Sequence, residues 1–326
     1  MIKTSLIASL ALASSVALAS SVALAQSYPS HAVKVIVPWP PGQATDIAAR
    51  LLAAKLQQSL NQPFVIDNRP GAGGSVGTAA AAKSAPDGYT LLAASSGPIS
   101  VMPSLQKLPY DPLRDLTMIG LITRSPYVLV VGPAFPAANL KELVALARAN
   151  PDKYTFGSSG TGATGHLLAE LFNSMAGIQA RHVPYKGAGP ELTDVIGGRV
   201  DYSIEVVAAT VGHVRAGRLK ALGVSTAQRT TALPAVPTIS EAAGLPGYDA
   251  GVWIGYAAPA GLPRDVLLRL SGEMQKAMRS VDLRQRLLAA GLDPATSTPE
   301  EIPAFMRREQ ERYAEVIRKA NIRLED

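Results

Sequence analysis

Three short segments of the 326-residue chain contain residue types suited to binding a small anion. They are PWPPGQATD at 38–46, SSGPIS at 95–100 and GSSGTGATGH at 157–166, and each lies between a β-type run and a helical pattern. A helix N-terminus presents unpaired N–H groups and the positive end of the helix dipole. Glycine lets an anionic group approach that backbone closely, and hydroxyl groups add hydrogen-bond donors. Simple turn chemistry favours the same residues, but three such segments together indicate a binding site.

Motifs for other kinds of chemistry are incomplete. The third segment contains G-x-G-x-x-G at 160–165, but the acidic residue that a dinucleotide site needs about 20 positions later is missing. GSSGTG is not a G-x-S-x-G nucleophile elbow, because Thr161 takes the place of the last glycine. Neither glycine-rich segment continues into the G-K-[ST] of a phosphate-binding P-loop. We therefore expect no catalytic residue and no cofactor.

Histidine and cysteine usage leads to the same expectation for metals. The chain has no cysteine, and its four histidines are dispersed without metal-ligand spacing: His31, His166, His182 and His213. His166 falls in the first turn of a predicted helix, where a structural role is the simpler interpretation. No nucleophile–base pair is evident in the sequence.

The pattern around these segments predicts a mainly parallel α/β fold. VKVIVP precedes a helix that starts at about Thr45 or Asp46, and PFVIDNRP and YTLLAASSG continue the alternation of strands and helices. MIGLITRSPYVLVVGP, at 118–133, predicts a long strand that crosses between two lobes and is interrupted at Pro126. A second α/β series follows, and LKALGVST, at 219–226, is predicted to carry the chain back to the first lobe.

The first 25 residues have the features of a secretory signal peptide. Lys3 precedes an apolar run of small residues that ends in Ala23-Leu24-Ala25, and a second cleavage is possible after Ala19. A membrane anchor is the alternative, since the uncharged run has about the length that spans a bilayer. The predicted organisation is a signal peptide at 1–25, a discontinuous lobe I at 26–126 plus 224–326, and lobe II at 127–223.

Without Lys3, the chain has 30 basic and 25 acidic residues, a net charge of +5. These charges are scattered and lack the basic runs with interleaved aromatic residues that nucleic-acid-binding modules use. The sequence therefore predicts an exported, soluble periplasmic protein with no nucleic-acid partner, and we expect a monomer.

Several longer motifs occur together and in order. VPWPPGQATDIAARLLAAKL, IDNRPGAGGSVGTAAAAKSAPDGYTLL, HVPYKGAGPELTDVIGGRVD and LPAVPTISEAAGLPGY resemble the Bug, or TctC-like, extracytoplasmic solute receptors of tripartite tricarboxylate transport systems. The resemblance covers essentially the whole chain after the signal peptide. It implies a periplasmic binding protein of type II, with two α/β lobes joined by hinge strands in a Venus-flytrap arrangement. Its partners would be a small organic ligand and TctA/TctB-like membrane subunits.

The resemblance also implies which residues contact the ligand. In the family, a ligand carboxylate is held by the first βα loop, partly through ordered waters, and by the glycine–serine loop of the second lobe. On this chain, the first loop is Trp39, Pro40, Pro41, Gly42, Gln43, Ala44, Thr45 and Asp46, and the second is Ser158, Ser159, Gly160, Thr161, Gly162, Ala163 and Thr164. We add Ser95 and Ser96 from the middle segment, and Tyr185, Lys186 and Glu205 from the later motifs.

Three residues depart from the family pattern and leave the ligand open. Gln43 replaces the second glycine of PGG, Trp39 stands where phenylalanine is common, and Glu205 stands where aspartate is more frequent. A carboxylate in the cleft would disfavour a second anionic group on the ligand, unless it pairs with Lys186 or an ammonium group. Alternatively, Glu205 pairs with a neighbour and plays no part in binding.

The admissible ligands are a monocarboxylate, a dicarboxylate, an amino acid, or an aromatic acid or amide. A sensory receptor with a signalling partner and an exported hydrolase or lyase remain the alternative functions.

Overall fold

The computed structural model describes residues 28–319 and 322–323, which form an α/β fold of nine strands and ten helices. The predicted signal peptide lies outside the described residues. The first elements are β1 (Val33–Val37), α1 (Ala44–Leu60), β2 (Phe64–Asn68), α2 (Ser75–Ala82) and β3 (Thr90–Ser95). Helix α1 thus begins one residue before the predicted Thr45. A short π-helical turn (Gly97–Val101) follows β3.

The remaining elements continue the alternation through the second half of the chain. In order they are β4 (Leu116–Val131), α3 (Leu140–Ala149), β5 (Thr155–Ser158), α4 (Thr164–Ala176), β6 (Arg181–Pro184), α5 (Ala188–Ile196), β7 (Tyr202–Val206), α6 (Val207–Arg215), β8 (Lys220–Val224), α7 (Ile239–Ala243), β9 (Gly251–Pro259), α8 (Arg264–Arg279), α9 (Val281–Ala289) and α10 (Ile302–Lys319). In the described part of the chain, no helix combines the length and the apolar character needed to cross a membrane.

The strands form two sheets that share β4. The first has the order β2-β1-β3-β9-β4, with β1, β2 and β3 parallel and β9 antiparallel to both β3 and β4. The second has the order β8-β4-β7-β5-β6, with β5, β6 and β7 parallel and β4 antiparallel to its two neighbours. The predicted parallel strands are present, and each sheet also contains antiparallel pairs.

The predicted crossing strand is confirmed. Residues 116–126 of β4 pair with β9, and residues 127–131 pair with β7 and β8. The change of partners falls at Pro126, which has no N–H to donate. Because β4 continues through both sheets, backbone pairing directly connects the two halves of the molecule.

Each sheet has its own buried core. The first core packs α1, α8 and α9 against the sheet through Leu52, Leu91, Tyr256 and Leu270. The second packs α3 and α4 against the other sheet through aromatic residues: Phe156, Phe172, Tyr202 and Tyr248. These cores correspond to the predicted lobes, but the division into lobes stays a prediction.

The chain returns to the first sheet later than the predicted position at Val224. Strand β8 pairs with Val128–Val131 of β4 and so remains in the second sheet. Ile239, Leu245 and Tyr248 then bury their side chains in the second core. The chain returns to the first sheet only with β9, at Gly251, because the apolar side chains of 239–250 find their partners on α3 and α4. The segment 224–250 therefore packs with the second core, not with lobe I.

A close backbone approach at Gly255 gives a test of the β4–β9 pairing. A Cβ atom added to Gly255 would lie 2.5 Å from the carbonyl oxygen of Gly120 on β4. We expect Gly255→Ala to destabilise the fold by about 1–3 kcal/mol, because the two paired strands must separate.

Gly272→Ala is the matched control, since Gly272 lies within α8 and its added methyl group would meet nothing within 4 Å. This variant should be more stable by about 0.5–1 kcal/mol. Urea unfolding measures both, and equal stability of the two variants would contradict the packing described for β9.

Candidate functional site

The first of the three segments, loop 1 (38–46), is organised by the carboxylate of Asp46. Asp46 Oδ2 accepts the Gly42 N–H at 2.9 Å, and the carboxylate also accepts Arg50 Nε and Asn68 Nδ2. Burial favours the protonated form, but the hydrogen bonds from Arg50, Gly42 and Asn68 outweigh it and keep the pKa of Asp46 below its ordinary value. Asp46 is therefore an early-turn acid that shapes the loop. Its oxygens accept hydrogen bonds from the protein itself.

A side-chain hydrogen bond joins loop 1 to the second segment, loop 2 (95–100). Trp39 Nε1 donates to Ser95 Oγ at 2.9 Å, and the indole ring packs against Gly74 and Gly97. Both Ser95 and Ser96 are buried. The predicted indole N–H donor is thus committed to Ser95, and we infer that the Trp39–Ser95 contact fixes the position of loop 1.

Exposed backbone lies at the tip of loop 1. Pro41, Gly42, Gln43 and Ala44 are all exposed, and Gly42 has a φ of +84°. Gln43 is the N-cap residue of α1, and its side chain makes no capping hydrogen bond. Within the described part of the chain, the N–H groups of Ala44 and Thr45 donate to no protein acceptor. These groups are available to an anion at the positive end of α1.

The third segment, loop 3 (157–166), has a similar geometry. Ser158 is buried, and its Oγ lies 2.7 Å from His182 Nε2 and accepts the Gly160 N–H at 3.3 Å. Gly162 N–H donates to His166 Nδ1 at 3.0 Å. Within loop 3, Ala163 is the N-cap of α4, and the N–H groups of Thr164 and Gly165 have no acceptor among the described residues.

The two histidines beneath loop 3 are stacked. The ring centroids of His166 and His182 lie 3.8 Å apart, and the ring planes differ by 9°. Burial, followed by the charge of His166, lowers the pKa of His182 to about 4. His166 is the third residue of α4, so its predicted place in the first turn of a helix is confirmed.

Glu205 faces a second carboxyl group. Glu191 of α5 and Glu205 of β7 are both buried; Ser203 Oγ donates to Glu191 Oε1, and the Val206 N–H donates to Glu205 Oε1 at 2.6 Å. Burial, followed by the charge of Glu205, raises the pKa of Glu191 to about 8, and burial also raises the pKa of Glu205. Glu205 thus pairs with Glu191 and also interacts with Ser159 of loop 3, whereas Lys186 is exposed.

The hydroxyl of Tyr185, another predicted ligand contact, is used elsewhere. It donates to Asp194 Oδ2 at 2.8 Å, and burial, followed by this hydrogen bond, raises the pKa of Tyr185 to about 12. The backbone of Tyr185 and Gly187 runs beside loop 3, because their N–H groups donate to the carbonyls of Ser158 and Ser159. Tyr185 therefore supports loop 3 through its backbone.

Strand registers and one apolar cluster place the loops at neighbouring edges. Ser95 lies level with Ile254 of β9, which pairs with Thr123 of β4, and Glu205 pairs with Val128 of the same strand. Five residues of extended strand span about 17 Å. Near these edges, Val101 from the turn after β3 and Leu167 from α4 share one buried cluster with Tyr313 and Ile317 of α10.

This chain matches a known protein family and a known relative over most of its length. Residues 48–322 match the family "TctC: Tripartite tricarboxylate transporter family receptor". The chain belongs to this family. Protein BugT of Bordetella pertussis is 38% identical over 323 residues, which cover 98% of this chain and 99% of BugT.

Two solved structures show what similar receptors bind. The structure of an R. palustris protein with adipate is 34% identical, with a TM-score of 0.74 over 91% of this chain and 99% of that one. The structure of MatC from Rhodopseudomonas palustris with bound malate is 32% identical, with a TM-score of 0.70 over 89% of this chain and all of MatC. The fold of this TctC family receptor is accordingly an α/β fold of the periplasmic-binding-protein type, and its relatives are binding proteins.

Some residues of the site escaped the sequence analysis. Arg50 lies four residues after Asp46, whereas Asn68, Glu191 and His182 come from other elements. All four lie within the quoted motifs, but nothing in the sequence links them to the loops they support. The sequence also contains no sign that Ser158 and His182 lie in contact. Glu191 has one signal in the sequence. It lies at helical spacing from Ala188 and Val195 and beside Leu192, and a carboxyl group on such an apolar face requires a partner.

The raised pKa of Glu191 predicts how stability depends on pH. The folded chain keeps the Glu191 proton up to about pH 8, whereas the ordinary pKa is 4.5. The native state therefore binds more protons between these values, and its stability decreases as the pH rises, by at most about 1.4 kcal/mol per pH unit.

Glu191→Gln keeps an acceptor for Ser203 and does not titrate. We expect its melting temperature to rise relative to the wild type between pH 5 and pH 8, and exposed Glu300→Gln should show no such trend. If the melting temperatures of Glu191→Gln and the wild type stayed parallel over this range, Glu191 would not be protonated in the fold.

Proposed function

We propose that this TctC family receptor captures a small organic carboxylate in the periplasm and delivers it to the membrane subunits of a tripartite tricarboxylate transporter. One observation carries the proposal. The N-termini of α1 and α4, each behind a glycine-containing loop, keep N–H groups that have no acceptor in the described part of the chain, at neighbouring edges of the two sheets. Such groups bind a carboxylate through hydrogen bonds and through the helix dipoles.

The bound ligands of similar receptors support a carboxylate. Adipate and malate both carry two carboxylates but differ in length, and each accompanies a structure about one-third identical to this chain. A site built on backbone N–H groups recognises one carboxylate irrespective of the rest of the molecule. Side chains near the loops would then contact the distal part of the ligand. We place Gln43 among them, because it is exposed at the tip of loop 1.

The Glu191–Glu205 pair bears on ligand class. Because Glu191 holds its proton to about pH 8, the pair carries less than two negative charges at neutral pH. Each residue also keeps an oxygen, Oε2, without a hydrogen-bond partner among the described residues. The pair therefore opposes a second ligand carboxylate less strongly than two ionised groups would, so dicarboxylates stay among the candidate ligands beside monocarboxylates and amino acids.

Binding would close the two halves of the molecule on the ligand. We propose that the first and second cores are the lobes, with the hinge near Pro126, where β4 passes between the sheets, and near Gly251, where the chain re-enters the first sheet. A ligand held by loop 1 and loop 3 at once contacts both lobes in the closed state only. It therefore favours that state by the difference in contact free energy.

The Ser158–His182 contact does not favour hydrolysis. Ser158 is fully buried, and its hydroxyl also lies 3.0 Å from the Gly160 carbonyl. His182 stacks on a second imidazole and, among the described residues, donates no hydrogen bond to a carboxylate of the kind that orients a catalytic base. The buried Ser158 hydroxyl therefore forms hydrogen bonds with the loop backbone and has a structural role.

The proposed function is tested with purified protein lacking residues 1–25. A thermal-shift screen against adipate, malate, other mono- and dicarboxylates, amino acids and aromatic acids should show a concentration-dependent rise in melting temperature for at least one carboxylate. Chromatography of the mixtures should recover that compound unchanged. Stabilisation by none of them, or turnover of a stabilising compound, would contradict the proposal.

Ala44→Pro tests the backbone contact directly. Ala44 is the first residue of α1 and follows extended Gln43, so proline fits there and removes only one unpaired N–H group. A hydrogen bond to a charged group contributes about 1.5–3 kcal/mol, so we expect affinity for the stabilising carboxylate to fall about 10- to 100-fold.

Val281→Pro is the matched control, because Val281 is the exposed first residue of α9, far from the loops in sequence, and also follows an extended residue. It should leave affinity unchanged. Calorimetric titration measures both variants, and undiminished binding by a folded Ala44→Pro protein would remove this N–H group from the site.

A further inference from the structure

Loops 1 and 3 are closed by the same contact, made by chemically different acceptors. In loop 1, the Gly42 N–H donates to the carboxylate of Asp46, and in loop 3 the Gly162 N–H donates to the imidazole of His166. Each acceptor lies four residues after its glycine and is the third residue of the helix that follows. Both contacts hold a loop against the start of its helix, where the proposed carboxylate binds.

The protonation state of His166 follows from this geometry. A backbone N–H can only donate, so Nδ1 of His166 must present its lone pair to Gly162, 3.0 Å away. The ring proton then lies on Nε2, which is 3.7 Å from Glu170 Oε1. Protonation would turn Nδ1 into a donor that faces the N–H donor of Gly162, and the contact would break. No such limit applies to Asp46, whose lowered pKa keeps it an acceptor.

Four titratable groups lie around His166 and loop 3. Glu170, on the same helix, can pair with an imidazolium, and His182 of β6 stacks on the ring at 3.8 Å. Phe156 of β5 packs against both rings without a charge. Glu191 touches the opposite side of β5, at Gly157, and Glu205 interacts with Ser159. The two imidazoles and the two carboxyl groups therefore approach loop 3 from opposite faces of the sheet.

We propose that His166 is a positioning residue that holds loop 3 in its ligand-binding shape only while its imidazole is neutral, so that carboxylate capture weakens as the pH falls. The proposal rests on the proposed function of the same loop. Burial keeps the pKa of His182 at about 4, so the ring stacked on His166 is uncharged above that pH. Loop 1 has no comparable switch, because its acceptor is a carboxylate.

The test compares the wild type with His166→Asn. The Oδ1 atom of asparagine can take the place of imidazole Nδ1, accepts a hydrogen bond and does not titrate. Calorimetric titration with adipate, and with malate, is carried out at intervals between pH 7.5 and pH 5. We expect wild-type affinity to fall at least tenfold further over this range than the affinity of His166→Asn. Protonation of the ligand itself affects both proteins equally.

His31→Asn is the control. His31 is exposed and stacks on Tyr89, and both residues belong to the part of the chain that forms the first sheet, not to loop 3. It should keep the wild-type pH profile. Equal pH profiles for His166→Asn and the wild type would overturn the positioning role while leaving carboxylate binding intact. Failure of the wild type to bind adipate and malate at pH 7.5 would count against the proposed function for these two compounds.

A measurement on the wild type alone covers the case in which His166→Asn does not fold or neither compound binds. The imidazole nitrogens of His166 and the amide of Gly162 are followed by ¹⁵N NMR as the pH is lowered. We expect the neutral ring to carry its proton on Nε2, and the Gly162 amide to shift with the same midpoint as the imidazole. An unmoved Gly162 amide during His166 protonation, or no protonation while the fold persists, would overturn the proposal.

Discussion

The geometry of this receptor depends on one strand that belongs to two sheets. Strand β4 runs through 16 residues, and its backbone groups pair first with β9 and then with β7 and β8. Sliding one sheet along the other would break these hydrogen bonds together, whereas bending or twisting near Pro126 would keep most of them. The shared strand therefore restricts the two cores to rotation about the crossing, and it places the ends of β3 and β7 on either side of it.

Loop 1 and loop 3, which follow β1 and β5, are held by hydrogen bonds where they meet the fold and are open where they meet solvent. Asp46 and His166 occupy the glycine N–H groups just before α1 and α4, and Trp39 and Ser158 anchor the loops to Ser95 and His182. The first N–H groups of both helices are left without an acceptor in the described part of the chain. Preorganised donors of this kind bind an anion without first breaking internal hydrogen bonds, which lowers the cost of binding.

The local features of this fold could be predicted from the sequence. The β-branched runs, the helical periodicity and the crossing strand with Pro126 each reflect interactions between near neighbours in the chain. The return of the chain was predicted wrongly at β8, because pairing of β8 with β4 depends on partners about 90 residues away. The segment 224–250 carries no linker signal that would show which core it joins.

The candidate site shows the same difference between local features and long-range contacts. The loops and their glycines are visible as motifs, whereas the groups that support them come from distant strands and helices. Glu205 could be singled out, but its pairing with Glu191 could not, since only the pairing of Gly157 with Ser203 brings α5 beside the end of β7. Tyr185 was predicted to contact ligand, yet its hydroxyl binds Asp194, a residue of the next helix.

The central claim is that a carboxylate bridges the N-termini of α1 and α4. A crystal structure of the protein without residues 1–25, grown with the carboxylate that stabilises it most, tests this claim most directly. The account predicts ligand oxygens within hydrogen-bonding distance, about 3 Å, of the N–H groups of Ala44 or Thr45 on one side and of Thr164 or Gly165 on the other. A ligand bound away from these loops, or held by side chains of one core alone, would contradict it.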